Sequence, residues 1–380
     1  MLRGLSARPA ARRVLLAAAV VAWHIAGTGT ARAQSIPARL SDSTFWRLIT
    51  ELSEPGGSFI SDNFVSNELA FQYVIPELCN TVQPGGVYLG VGPDQNFTYI
   101  VALEPQIAFI VDIRRQNMVQ HLMYKALIET SADRAEFLSR LFSRARPAGL
   151  DTTSSAQALL DAYAAATPDS ALFARNLSGM LEHLRYGRSL PLTAEDSSSL
   201  EYVFTAFFGA GPDLTYAVGR MYRGFGSGWP SYRMLMTVHD GQGAYRSYLA
   251  NEALFRRLKD LQSRNLIVPI VGDFGGPSAL RQVGAWVRRH GAKVSTFYTS
   301  NVEQYLFQQG SAWQRFYESV ASMPLDSTAM FIRSVSNRSW VVPQHPGSRS
   351  ASMLSSIPAQ LVAYRDGHVL SYQDVVWLSR

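Results

Sequence analysis

Apolar positions along this chain recur with two periods, and the switches between them predict most of its elements. Leu40 to Leu52 repeats apolar residues at helical spacing and stops at Pro55-Gly-Gly57. The polar run Ser61-Asp-Asn-Phe-Val-Ser-Asn-Glu68 carries two candidate caps and leads into a helix over Glu68 to Cys79. Short continuous apolar runs, the pattern of buried strands, predict strands at Gly86 to Gly90, Ile107 to Asp112, Tyr232 to Val238, Leu266 to Val271, Lys293 to Tyr298 and Met330 to Val335. Helical spacing predicts a helix from about Asn96, one long helix over Met118 to Phe142, and others over Tyr245 to Arg264, Ser278 to His290 and Val302 to Gln308. Pro147 to Trp229 is helical and loop-like without a clear strand, and reads as a helical insertion or cap. Ser334 to Pro358 reads as a Ser/Pro-rich loop, and Leu361-Val-Ala-Tyr364, Asp366-Gly367 and Val369-Leu370 suggest a terminal hairpin.

Strands alternating with helices imply an α/β fold with a doubly wound, mostly parallel sheet, covered on both faces. Such sheets bind ligands beyond the carboxyl ends of their strands. Here those ends carry Gly90 to Asn96, Asp112, His239-Asp240, Asp273 and Ser300-Asn301 with Glu303.

The most telling of these ends is Val87-Tyr-Leu-Gly-Val-Gly-Pro-Asp-Gln-Asn-Phe97. A strand running into Gly90 and Gly92 lets the backbone approach a ligand and aims free helix N–H groups at it. Asp112 lies 20 residues past Gly92, where nucleoside-binding folds place a carboxylate that accepts from ribose hydroxyls. The match is partial. A dinucleotide fingerprint has a third glycine where Gln95 stands; the glycine motif of class I methyltransferases has an acid at Tyr88 and a third glycine at Asp94. A tight turn that holds no ligand fits the glycines equally well. Asp112 either meets a ribose or pairs with Arg114 or Arg115; Asp273 either meets a ligand or caps the helix beginning near Pro277; Ser300, Asn301 and Glu303 either line a site or start a helix.

Composition narrows the function classes. Residues 1 to 33 hold five arginines, no acid, an apolar run from Val14 to Ile25 and the sequence Ala31-Arg-Ala33, the form of a secretory signal peptide. That run is shorter than the roughly 20 residues of a membrane span, so no stable span is expected after cleavage. The net charge of +6 includes those five arginines, leaving +1 for residues 34–380 and no basic face for nucleic acid. Cys79 is the only cysteine, so the chain is held by its core rather than by disulfides. It contains no G-x-S-x-G elbow, H-E-x-x-H helix or Walker loop. His239-Asp240 with Asp273 is the one set that suggests a metal, and since lone histidines are mostly structural, no metal is assigned.

With these residues the chain resembles an uncharacterised bacterial family with a class I S-adenosylmethionine methyltransferase-like Rossmann core. The strings that carry the resemblance are Ser61 to Glu68, Tyr88 to Phe97, Asp112 to Asn117, Val271 to Pro277 and Phe297 to Leu306. It implies one Rossmann-like domain over residues 34–380, with the insertion at about 147–229. It also implies a cofactor edge of Gly90, Gly92, Asn96, Asp112 and Asp273, with Asn63, Glu68, Asn301 and Glu303 toward a substrate. No activity comes with the resemblance. S-adenosylmethionine is a cytoplasmic metabolite, whereas the leader directs the chain to the periplasm or outside the cell. Three readings therefore stand: a methyltransferase using S-adenosylmethionine, an exported non-catalytic binder of a small polar ligand, and an interaction protein working through its helical insertion.

Overall fold

The computed structural model of the protein describes residues 35–216, 228–336, 343 and 345–379. The expected leader over residues 1–33, part of the expected insertion and part of the expected Ser/Pro-rich loop lie outside them. Six strands form one sheet: β1 Val87–Gly90, β2 Ile107–Asp112, β3 Ile267–Val271, β4 Val294–Ser300, β5 Leu325–Ser336 and β6 Ser350–Ser356, in the order β3-β2-β1-β4-β5-β6. All neighbouring pairs are parallel except β5 with β6. β1, β2 and β3 are buried at every position, which is why they read as unbroken apolar runs and not as alternation. The order reverses beside β1: the chain builds outward through β2 and β3, then returns to β1's other side with β4. The loops after β1 and β4 therefore part there and leave a crevice at the strands' carboxyl ends.

α1 Asp42–Leu52 covers the free edge of β3, and α2 Ile75–Thr81 packs on α3 Gln95–Leu103, which follows β1. α4 Arg115–Thr130 follows β2. Most of its side chains are buried, because α5 Arg134–Phe142, α6 Ala156–Ala165, α7 Ser170–Glu182, α8 Ala194–Ala210 and α9 Tyr232–Thr237 form a helical body packed on its outer side. Buried Glu129 of α4 ties this body down by accepting from Lys125, His183 and Arg188. α10 Glu252–Ser263 leads into β3, α11 Ala279–Arg289 into β4, and α12 Val302–Leu306 with α13 Ala312–Ala321 into β5; α14 Ile357–Arg365 and α15 Tyr372–Trp377 close the chain. Among the described residues no helix is long and apolar enough to cross a membrane.

Several expected elements differ, each for a local reason. Tyr232 to Val238 is a helix: Ser231 caps it by accepting from Met234 N, and Tyr232, Leu235 and Met236 make one buried face at helical spacing. His239-Asp240 is consequently not at a strand end, and Asp240 folds its own loop by accepting from the Gln242 and Ala244 amides and from Arg246. The helix expected from Tyr245 begins only at Glu252, where Asn251 supplies the cap. The long helix over Met118 to Phe142 breaks at Ser131, and Asp133 caps the second piece by accepting from Glu136 N at 2.8 Å. Ser61 to Glu68 caps nothing: a short 3-10 turn, Leu69–Val74, precedes α2 without a side-chain cap. Inside the expected Ser/Pro-rich loop lies β6, whose small buried serines let that 3-10 turn cover the sheet edge. The expected terminal hairpin is α14 and α15, started by Ser356 with Pro358 and by a Ser371–Asp374 capping box.

Candidate functional site

A cavity of about 550 Å³ opens at the crevice beyond the carboxyl ends of β1 to β4. Its wall includes Asn63 and Glu68 from the loop before α2, Gly92 and Gln95 after β1, Asp112 and Arg114 after β2, Asp273 after β3, and Ser300 and Asn301 after β4. Six of the nine residues assigned from the sequence to a cofactor or substrate side therefore meet around one space: Asn63, Glu68, Gly92, Asp112, Asp273 and Asn301.

Gly90, Asn96 and Glu303 do not line it, and each has a structural role instead. A Cβ on Gly90 would stand 1.9 Å from Asn96 Oδ1, so glycine here allows Asn96 to pack against the strand. Asn96 Nδ2 donates to Val91 O at 2.8 Å and Pro93 O at 2.7 Å, while its Oδ1 accepts from Tyr88 at 2.9 Å; it pins the turn from beneath. Glu303 lies in a fully buried bidentate pair with Arg333, 2.5 Å between Nε and Oε2, and also accepts from Tyr317. The first-turn position of Glu303 suggested the helix dipole, but its partner stands on β5 and no local spacing announces it.

The glycine turn is held so that its backbone faces the cavity. Gly92 has φ +78° with open space where a Cβ would be, a conformation that favours glycine and a gap that a ligand can enter. His121 lies 2.9 Å from the Gly92 carbonyl. Burial pulls its pKa down to about 4, so the ring is neutral and its Nε2–H is the donor. Ser300 and Asn63 also have positive φ, +51° and +49°, and non-glycine strain at two points of one cavity wall is a mark of functional sites.

Asp112 is clamped. Its Oδ1 accepts from Arg114 N at 2.9 Å and Nε at 3.0 Å, its Oδ2 from Nη2 at 2.8 Å, and Arg114 Nη1 runs on to the Ser61 and Asp62 carbonyls. The ion-pair reading of the Asp112 run thus holds for Arg114; Arg115 pairs instead with Asp196 at 2.7 Å. The pair fixes the Ser61 to Glu68 loop over the crevice and leaves Asp112 Oδ2 one open acceptor position. Asp273 Oδ1 accepts from Gly275 N at 2.9 Å, and its other oxygen has no donor among the described residues. Asp273 does not cap α11, because the Ser278 and Ala279 amides both donate to Glu54.

Glu68 is 2% exposed and its partners are neutral groups: Gln95 Nε2 at 2.8 Å, Tyr298 at 2.9 Å and Ser300, with the Ser334 hydroxyl also acting on it. Burial raises its pKa, against the pull of those donors. Gln95 and Tyr298 escaped the sequence reading. Gln95 stood out only as a missing glycine, and Tyr298 as one more apolar strand residue. Phe59 and Tyr305, packed edge to face at 5.2 Å, join Phe274 and Ile113 on the apolar side of the cavity. Among the described residues no three His, Cys, Asp or Glu side chains are grouped to hold a metal.

Residues 63–180 and 216–366 match the family described as Domain of unknown function (DUF7790). A search of curated proteins finds no match.

Proposed function

The chain belongs to this family, and from that premise we propose that it is an exported, methyltransferase-like protein whose crevice binds S-adenosylmethionine or a small polar ligand of the same build. The cavity at the reversal of strand order carries the reading. The order β3-β2-β1-β4-β5 supports a doubly wound nucleotide-binding plan, which takes ligands at this point. An open cavity there supports the ligand readings over an interaction protein working through its helices.

The residues fit a nucleoside better than a dinucleotide. Among the described lining residues Arg114 is the only cation, and Asp112 already neutralises it, so a pyrophosphate would find no free counter-ion among them. Pro93 removes one amide from the turn, and Glu68 sets a carboxyl near it. S-adenosylmethionine would place its nucleoside against Asp112, Asp273 and the apolar side, and would supply an activated methyl group. The chain's part would be to hold cofactor and acceptor in line and exclude water. The clamp on Asp112 favours a second reading, a non-catalytic exported binding protein, because that carboxylate has most of its acceptor capacity in use.

Calorimetry of the chain from Gln34 onward with S-adenosylmethionine and S-adenosylhomocysteine separates the two. Binding with methyl loss in the presence of acceptors supports the enzyme, and no binding at millimolar ligand discards the cofactor. N-terminal sequencing of protein from its native host tests export; it should begin at Gln34, and a mature chain retaining Met1 refutes that part.

A further inference from the structure

We infer that the Glu68–Gln95 corner of the cavity is a subsite for a primary ammonium group. The inference rests on the reading of the crevice as a ligand site, but not on the identity of the cofactor. Among the described lining residues three are acids, Glu68, Asp112 and Asp273, against a single arginine that Asp112 consumes. Glu68 is the most deeply buried of the three and has no cation: its partners are all neutral donors, and none of the ion pairs among the described residues includes it. A buried carboxylate left with neutral partners is costly unless it takes a proton or a positive charge arrives.

Gln95 is the second, independent sign. With Glu68 ionised, Nε2 must face it, because a carboxylate accepts and an amide oxygen cannot donate to it, so the orientation of the amide is fixed. That leaves Oε1 as an acceptor, buried and without a donor among the described residues. Glu68 Oε1 accepts from Tyr298 and Ser300, whereas Oε2 accepts from Gln95. Two acceptors on neighbouring residues, one negative and one neutral, call for a compact group with several N–H donors and a positive charge. An alkylammonium supplies both; a sulfonium supplies charge without donors, and a hydroxyl supplies one donor without charge. Asn63 Oδ1, a further buried acceptor without a partner, lies on the same loop and adds to the cavity's demand for donors.

The test compares ligands that differ in the amine alone. S-adenosylhomocysteine is set against its analogue with a hydroxyl replacing the α-amino group, and putrescine against butanediol, by calorimetry on the unsubstituted chain and on Glu68→Gln and Gln95→Met. Apo melting is measured first for each variant. In at least one pair the amine should bind tighter by about tenfold or more, and both variants should erase most of that preference. Loss of preference with an unchanged apo melt is the supporting result. A preference of less than about threefold in both pairs, or one that survives in folded Glu68→Gln, overturns the subsite. If Glu68→Gln does not fold, the ligand pairs and Gln95→Met decide. S-adenosylhomocysteine binding with no preference leaves the cofactor reading and removes the subsite. Putrescine preferred while S-adenosylhomocysteine does not bind does the reverse, and no binding by either amine overturns the subsite.

Discussion

Asp94 makes the stability of this protein depend on pH around neutrality. Its side chain is 2% exposed under the glycine turn, Oδ2 accepts from Tyr248 at 2.8 Å, and Tyr248 in turn bonds Tyr232 at 2.8 Å. Burial is the largest influence on it, no cation offsets that, and the carboxyl is pushed from 3.8 up to about 7. An acid whose folded value is raised contributes its stability in the neutral form. That contribution is complete below pH 3.8, declines as the pH rises toward 7, and is gone above it. At 1.36 kcal/mol per unit, ionised Asp94 costs the fold roughly 4 kcal/mol by pH 8. Asp94→Asn keeps the shape and never ionises. Its carbonyl can still accept from Tyr248. The variant should therefore match the unsubstituted chain near pH 4 and exceed it at pH 8 by about 2–4 kcal/mol, roughly 3–5 °C in melting temperature. Thermal melts of both proteins from pH 4 to pH 8, taken as a difference so that shared titrations cancel, measure this. A flat difference curve, or a variant less stable at pH 8, would mean that Asp94 is charged and useful in the folded protein.

The two other ionic contacts make separable predictions. Asp112→Asn leaves the buried Arg114 without its counter-ion and should lower apo stability by about 3–5 kcal/mol, read from urea midpoints. An unchanged apo midpoint with lost ligand-induced stabilisation would instead assign Asp112 to the ligand. Glu303→Gln strands Arg333, which is fully buried, and should cost a similar amount, about 3–5 kcal/mol, while leaving the cavity's affinity for any ligand within about twofold. A calorimetric loss of affinity in a folded Glu303→Gln would return that residue to the site.

Unpatterned apolar runs between helices identified β1 to β5 and the parallel sheet, because a strand buried on both faces leaves an unambiguous mark on its composition. The glycine turn and Asp112 were legible for a related reason: close backbone approach and a strand-end acid are local features at short spacing. Tyr232 to Val238 was not, since seven apolar-rich residues fit both periods and only Ser231 and the neighbouring helices decided for a helix. The serine-rich β6 lacked any apolar run and became a strand because β5 offered it an edge.

The division within the site follows the same line. Sequence alone placed Asp112, Asp273 and Asn301 at strand ends on one edge, though it put Asp240 there as well. Tertiary structure decided which polar groups face the cavity and which are spent inside the fold. In the sequence, Glu303 and Glu68 were equivalent as acids at the starts of expected helices. Arg333, 30 positions away, neutralises the first, while the second meets only hydroxyls and an amide, one of them 232 positions away. The reason is physical: the state of a buried carboxylate depends on the charges within a few ångströms of it, and in this sheet those charges come from strands far apart in the chain.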